Sequence, residues 1–365
     1  MRGFRIMLVG AVIVTGTAMA TQPAAAAPAG TVTCGGLIAY NAVTGGLDTS
    51  RLLAVPATAD PPSGARPIWD MANQGELDPA WSPDGRSIAF AGRTPPVISP
   101  EGFLVADTRL YVLRSGESQP RVLVEQLGQR GGLRFPTWSP DGKRIAYATG
   151  VQPAGDLYQG LGWIHIVDVA TQQDRLLTGV PGTLVTPALT WSPRGDQLLI
   201  TGWQPNTGNW TIFSARPDPA DPDLTPLISN DPAMKPRITD RLPVLSDLPV
   251  FFPAYVPGGH ALLVEHEAAD EVSTGLELTD TGFRRFIPVR AADGINGQAD
   301  FGLSPLHAVY QHAARDLFNP VESSIAVLSL ASGRSRTLVA ATAGTVVEQP
   351  DWQPLLGCRP WPFAT

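Results

Sequence analysis

Short apolar runs recur along the chain, each closed off by a polar, turn-forming segment. Ile88-Ala89-Phe90, Ile145-Ala146-Tyr147, Leu198-Leu199-Ile200, Leu262-Leu263-Val264 and Ala308-Val309-Tyr310 are of this kind. Further runs follow in several intervals: Trp163–Val167 then Arg175–Thr178, Trp210–Phe213 then Pro226–Ile228, and Ile325–Leu328 then Thr337–Val339. Runs this short predict strands, and no segment sustains the apolar period of about 3.6 residues that marks a helix.

The turns before the triplets repeat. Trp81-Ser82-Pro83-Asp84-Gly85 precedes the first, Trp138-Ser139-Pro140-Asp141-Gly142 the second and Trp191-Ser192-Pro193-Arg194-Gly195 the third. Tyr255-Val256-Pro257-Gly258-Gly259, Leu303-Ser304-Pro305 and Trp352-Gln353-Pro354 are degenerate copies. The anchors thus stand at 81, 138, 191, 255, 303 and 352, a spacing of roughly 50–60 residues that fits propeller blades with loop insertions. The motif's chemistry is structural. A bulky anchor packs between sheets, Pro sets φ at a turn, and Asp-Gly supplies the tight reversal. A second Pro, two residues before the anchor at 79, 136, 253 and 350, fits an inner strand edge where a missing N–H is tolerable.

The N-terminal Leu37-Ile38-Ala39-Tyr40 matches the strand after an anchor but lacks the anchor itself, and Trp352-Gln353-Pro354 is an anchor without a following strand. Joined, they rebuild one repeat. The predicted fold is therefore all-β: a six-bladed β-propeller with four-stranded blades, its ring closed by N- and C-terminal strands, which removes open edges.

This repeat resembles that of the TolB-type propellers, whose signature is W-S-P-D-G followed by I-A-F. The likeness covers about residues 34–358, the propeller part alone, without the family's N-terminal domain. Two copies match in full, Arg194 replaces Asp in a third, and three are degenerate. The resemblance implies an extracytoplasmic module that binds envelope proteins, often through a peptide segment inserted at the disc face.

Composition agrees. Hydrophobic residues make up 43%, and Gly 37 with Pro 36 suits many strands joined by tight turns. The net charge of −7 argues against a nucleic-acid partner. Residues 1–27 read as a signal peptide: Arg2 and Arg5 lead, Ile6 to Gly16 is apolar, and small-x-small cleavage candidates end at Ala20 and Ala26. An uncleaved N-terminal anchor is the alternative. Residues 28–365 then form one secreted or envelope domain, a monomer with no membrane span after cleavage. Cys34 and Cys358, the only two cysteines, fall around the split turn, and a disulfide between them would lock the ring.

No catalytic signature is present: no G-x-S-x-G elbow, no H-E-x-x-H, no C-x-x-C and no P-loop. No cofactor and no metal are expected. Candidate ligand contacts come from chain geometry. His266 and His312 occupy equivalent places in neighbouring repeats, at strand ends on one face of the disc, with Glu265, Glu267, Arg315 and Asp316 beside them. Arg130 and Arg134 are placed in one loop of that face, Arg237 and Arg241 in another; solvated surface is their plainer reading. Long connections at 91–107, 151–161 and 229–251 would frame the same face. The leading function is a non-catalytic protein- or peptide-binding scaffold. A propeller enzyme of lactonase or glycosidase type, or a carbohydrate-binding module, stays open, because fold alone excludes neither. An enzyme should gather carboxylates or histidines at the channel mouth; a partner-binder should show an apolar or aromatic patch.

Overall fold

The computed structural model describes residues 36–354, apart from 46–48, 59–63, 72–73, 101–103, 130–131, 151–161, 180–184, 205–206, 218–223, 232–243, 271–272, 292, 314–321 and 341. The leader, both cysteines, Arg130, Arg237, Arg241, Arg315 and Asp316 lie outside the described residues. The rest forms six small sheets in a ring, with no α-helix among the described residues.

From the channel outward, blade 1 orders Val346–Trp352, Leu37–Val43, Arg51–Pro56 and Arg66–Pro67. Blade 2 orders Gly75–Trp81, Ser87–Arg93, Leu104–Arg114 and Arg121–Gln129. Blade 3 orders Gly132–Trp138, Arg144–Gly150, Trp163–Asp168 and Asp174–Gly179. Blade 4 orders Val185–Trp191, Leu198–Gln204, Asn209–Ala215 and Thr225–Ser229. Blade 5 orders Val250–Tyr255, Ala261–Glu267, Thr274–Asp280 and Phe286–Arg290. Blade 6 orders Ile295–Asp300, His307–Ala313, Ser323–Ser329 and Ser335–Val339. Two of the expected long loops carry strands of their own. Val97–Ile98 pairs with the start of the long third strand of blade 2, and Val244–Leu245 adds in parallel to the edge of blade 4.

Each blade is covered on both faces, so its inner strands read as unbroken apolar runs rather than alternating ones. Ile145, Ala146, Tyr147 and Ala148 are all wholly buried. The core is correspondingly divided. Six buried clusters form, one in each blade–blade interface, such as Leu110, Leu133, Trp138 and Ile145 between blades 2 and 3.

The anchors stand in register. Trp81 pairs with Ile88, Trp138 with Ile145, Trp191 with Leu198, Tyr255 with Leu262 and Trp352 with Ile38. In blade 6 the anchor is displaced from the expected Leu303. Asp300 pairs with Val309, as Ala80 pairs with Ala89, so the aromatic in register is Phe301. Phe301 is buried, whereas Leu303 is 47% exposed. The Ser-Pro pair drew attention to the wrong residue, because an anchor's place is set by pairing and burial.

The W-S-P-D-G turn is a network of short bonds. Ser82 Oγ donates to Asp84 Oδ1 at 2.6 Å and accepts from the N–H of Ser87 at 2.9 Å. Ser139, Asp141 and Arg144 repeat this. Where Arg194 replaces the Asp, Asp196 receives the Ser192 hydroxyl instead, at 2.7 Å. The turn glycines at 85, 142, 195 and 259 all have positive φ. Pro140 lies 3.2 Å from where a Cβ on Gly195 would stand, and Pro193 the same distance from one on Gly259. Proline of one turn thus nests against glycine of the next.

Ring closure rebuilds this turn from two distant segments. Gln353 N–H donates to the carbonyl of Leu37 at 2.8 Å, as Ser82 N–H does to Ser87. The Gln353 amide oxygen accepts from the N–H of Leu37 at 3.1 Å, the part played elsewhere by the serine hydroxyl. Its Nε2 donates to the carbonyl of Gly85 in blade 2 at 2.7 Å. Replacing Gln353 by Ala strands a buried donor and a buried acceptor, so the expected loss is about 1–3 kcal/mol of unfolding free energy in a urea titration. An unchanged midpoint would show that closure does not depend on this side chain.

Candidate functional site

The inner strands all break register just before their ends. Leu77 pairs with Ala91 but Ala80 with Ala89, leaving Asp78-Pro79 as a β-bulge. Phe135-Pro136, Phe252-Pro253, Gln298-Ala299 and Gln349-Pro350 are the same bulge in blades 3, 5, 6 and 1. The first residue of each has positive φ, between 48° and 55°. Blade 4 shifts its bulge two residues earlier, to Thr186-Pro187. The proline two residues before the anchor therefore marks a bulge, where its missing N–H costs no ladder bond.

Bulged backbone turns donors toward the neighbouring blade, and side chains there receive them. Asp78 accepts from the N–H of Phe135 at 2.9 Å, and Gln298 from that of Gln349 at 2.7 Å. One layer nearer the W-S-P turns, Asp300 accepts from the N–H of Trp352 at 2.7 Å and Asp351 from that of Trp81 at 2.9 Å. The anchor indoles answer in kind: Trp138 Nε1 donates to the carbonyl of Ala80 at 3.0 Å, and Trp191 Nε1 to that of Thr137 at 3.1 Å.

The same segments line a central cavity of about 390 Å³. All six inner strands contribute to it. Its wall mixes polar and apolar surface, the carbon including Pro79, Pro136, Pro253 and Pro350 at the bulges and Pro83, Pro193, Pro257 and Pro354 at the turns. Asp78, Asp300 and Asp351 are its only carboxyls among the described residues. Asp78 is held by Arg134, whose guanidinium grips both carboxylate oxygens from Nε and Nη2. Asp300 and Asp351 stand at equivalent positions in adjacent blades. Burial pushes Asp300 up to about 6. Burial and then the charge of Asp300 hold Asp351 well above the usual carboxylate range.

Other carboxyls are sealed between blades. Glu265 reaches over Gly297, where a Cβ would stand 1.9 Å from its oxygen, and burial raises it to about 8. Burial also raises Glu76 to about 7, against the N–H donors of Leu52 and Met71. Glu348 is raised by burial too, with Arg134 opposing.

Of the contacts expected on the opposite face, Arg130, Arg315 and Asp316 lie outside the described residues. His266 and His312 are equivalent in register and stand one residue before their strand ends, as expected, and both are partly buried. His266 Nδ1 lies 2.8 Å from Glu277, and its ring packs tilted against Phe286. His312 Nδ1 lies 2.9 Å from Asn296 Oδ1, and burial lowers its basicity. Glu267 ends the same strand as His266. Arg134 is no loop residue on the surface. It lies in the inner strand of blade 3, 4% exposed, because a buried guanidinium needs the carboxylate that Asp78 supplies. The acid pair escaped the sequence reading. Its signal was the residue before the anchor, Asp in blades 6 and 1 where the other blades have Ala80, Thr137, Thr190 and Ala254.

The raised carboxyls set a pH dependence. The folded chain keeps protons on Glu265, Glu76 and Asp300 at pH values where the unfolded chain, titrating near 4 to 4.5, has lost them. Their stability contribution is therefore complete at low pH and is lost as pH rises through about 6 to 8. Asp141, lowered first by the Ser139 hydroxyl, acts the opposite way and costs stability in acid. A thermal-unfolding series at constant ionic strength should peak between about pH 4 and 6 and decline toward pH 9. Glu265→Gln should flatten the alkaline decline; an unaltered slope would contradict the assignment.

No family model matches this chain. Among curated proteins it is similar to dipeptidyl-peptidase 5 of Arthroderma otae, 26% identical over 157 residues. That match covers 41% of this chain and 21% of the relative, so the chain spans about a fifth of that protein's length. Among solved structures it resembles TolB from Acinetobacter baumannii, with TM-score 0.59 at 14% identity over 87% of this chain and 67% of the other. A chain of a nidogen/laminin complex matches with TM-score 0.57 at 12% identity, over 87% of this chain and 98% of that one. At these identities the likeness establishes a shared propeller fold.

Proposed function

We propose that this chain is an extracytoplasmic, TolB-like scaffold that binds a protein or peptide segment in the central cavity, on the face carrying the W-S-P turns. The cavity carries the reading: about 390 Å³, walled by proline and aromatic carbon and built from strands of every blade. Such a wall suits an inserted apolar segment and needs little reorganisation to receive it. A TolB structure and a nidogen/laminin complex among the neighbours are in keeping with a protein-binding role.

A catalytic reading has one feature in its favour, the Asp300–Asp351 pair, and a peptidase among the relatives. Against it, each carboxyl already holds a neighbouring blade's backbone N–H. One set of measurements separates the two. The immobilised mature protein should retain a partner from its host's secreted and cell-surface fractions, and Thr137→Trp, which fills the cavity, should lose it without changing thermal stability. Retention indifferent to that substitution would overturn the cavity reading. Turnover of peptide anilides or aryl glycosides, abolished by Asp300→Asn or by a serine-directed inhibitor, would establish the enzyme instead.

Export also brings the cysteines into play. The Gln353–Leu37 pairing draws together segments five residues before Cys358 and three after Cys34, in support of a disulfide. For so long a loop the stabilisation is up to about 5 kcal/mol. Intact-mass analysis of the denatured, unreduced mature protein should find no alkylatable thiol; two would refute the bond.

A further inference from the structure

We infer that the cavity recognises a primary ammonium group, seated between Asp300 and Asp351, with its aliphatic stem along the proline wall. The inference rests on the scaffold reading and names the chemistry of the inserted segment.

The charge of the pair is surplus to the fold. Each carboxylate accepts one backbone N–H from the next blade, a task that a neutral Asn would perform equally well. Blades 2 to 5 manage with Ala or Thr at the same position. Two carboxylates on neighbouring blades would repel each other at a cost that burial increases, so the pair keeps a proton, which a bound cation would displace. No Lys, Arg or His lines the cavity among the described residues, and Arg134 is committed to Asp78. Asp351 Oδ2 has no protein donor among the described residues, while Oδ1 is fixed by Trp81. The result is an oriented acceptor, held in place and facing a cavity large enough for a side chain.

The surroundings narrow the class of ligand. An anion meets two acids and no basic side chain. A calcium ion needs about six to eight oxygen ligands, and both carboxylates are already engaged by backbone N–H groups, Asp351 by Trp81 and Asp300 by Trp352 and Phe301. A guanidinium fork is best served by both oxygens of a single carboxylate, which neither residue can offer. An ammonium group, a compact charge with three donors, can bridge single oxygens of two carboxylates. Its methylene stem would lie along Pro79, Pro350 and Pro354, burying carbon while the head is neutralised.

Isothermal titration calorimetry of the mature protein tests this with three probes. N-acetyl-lysine N-methylamide carries the amine on a side chain, alanyl-alanine amide carries it at a free N-terminus, and N-acetyl-norleucine N-methylamide is the neutral control. At least one amine should bind, and which one does identifies the source of the group. Norleucine should bind at least about tenfold more weakly, and Asp351→Asn should weaken the amine by a similar factor. Asp351→Asn keeps the acceptor for Trp81, so its thermal midpoint should equal or exceed the parent's, and a folding failure would be visible there. No binding of either amine, or equal affinity in Asp300→Asn and Asp351→Asn, overturns the inference. Saturable binding of calcium chloride alone, lost in both variants, overturns it in favour of a metal. Norleucine binding as tightly as lysine overturns it while leaving the peptide scaffold intact.

Discussion

The inner edge of every blade carries backbone donors that no further strand can reach. Buried N–H groups must find acceptors, and here they find them on the neighbouring blade. Asp78, Gln298, Asp300 and Asp351 each take one such N–H from the next inner strand. Hydroxyls do the same farther along the strands: Thr108 accepts from Leu133, Thr274 from Asn296 and Ser323 from Val347. The blades are thus joined by directional bonds as well as by the apolar clusters between them. No blade is a complete unit, since each relies on the next for both burial and hydrogen-bonding partners.

That requirement shapes the channel. The bulge before each anchor re-aims the inner strand, and the acceptors it calls for must stand near the axis. Polar and acidic side chains are therefore drawn into a region otherwise walled by proline and aromatic carbon. Where a cation is at hand, as for Asp78 beside Arg134, the charge is balanced inside the protein. Asp300 and Asp351 have no such partner among the described residues of the cavity wall, so burial and their mutual repulsion keep them partly protonated, and this uncompensated acid pair is what gives the cavity chemical character. The site and the scaffold's joints are the same atoms seen from two sides. The pH response of the fold and the preference of the cavity consequently share a cause.

Much of this architecture can be read from the chain. The repeat, the turn chemistry and the divided first blade follow from local spacing and residue type, and five anchors fall in the expected register. Two residues depart from their expected places. Leu303 precedes Ser-Pro as an anchor should, whereas the buried aromatic is Phe301. Arg134, expected in a loop, lies in an inner strand and is engaged across a blade interface, while His266 and His312 stand near their strand ends as expected, each with a partner in its own blade. Position along a repeat says which layer of the disc a residue occupies; it does not say what stands across the interface.

By itself, then, the sequence determined the number of blades, the strand order within them and the way the ring closes. These depend on turns and apolar runs, which are local and repeat often enough to be recognised even when degenerate. Only the tertiary structure decided which polar groups meet. Asp300 and Asp351 are separated by a whole repeat, as Asp78 and Arg134 are, and nothing in the local sequence distinguishes the balanced charge from the unbalanced one. The difference arises where six inner strands converge on one axis, because convergence sets which side chains are neighbours and how much water is left between them.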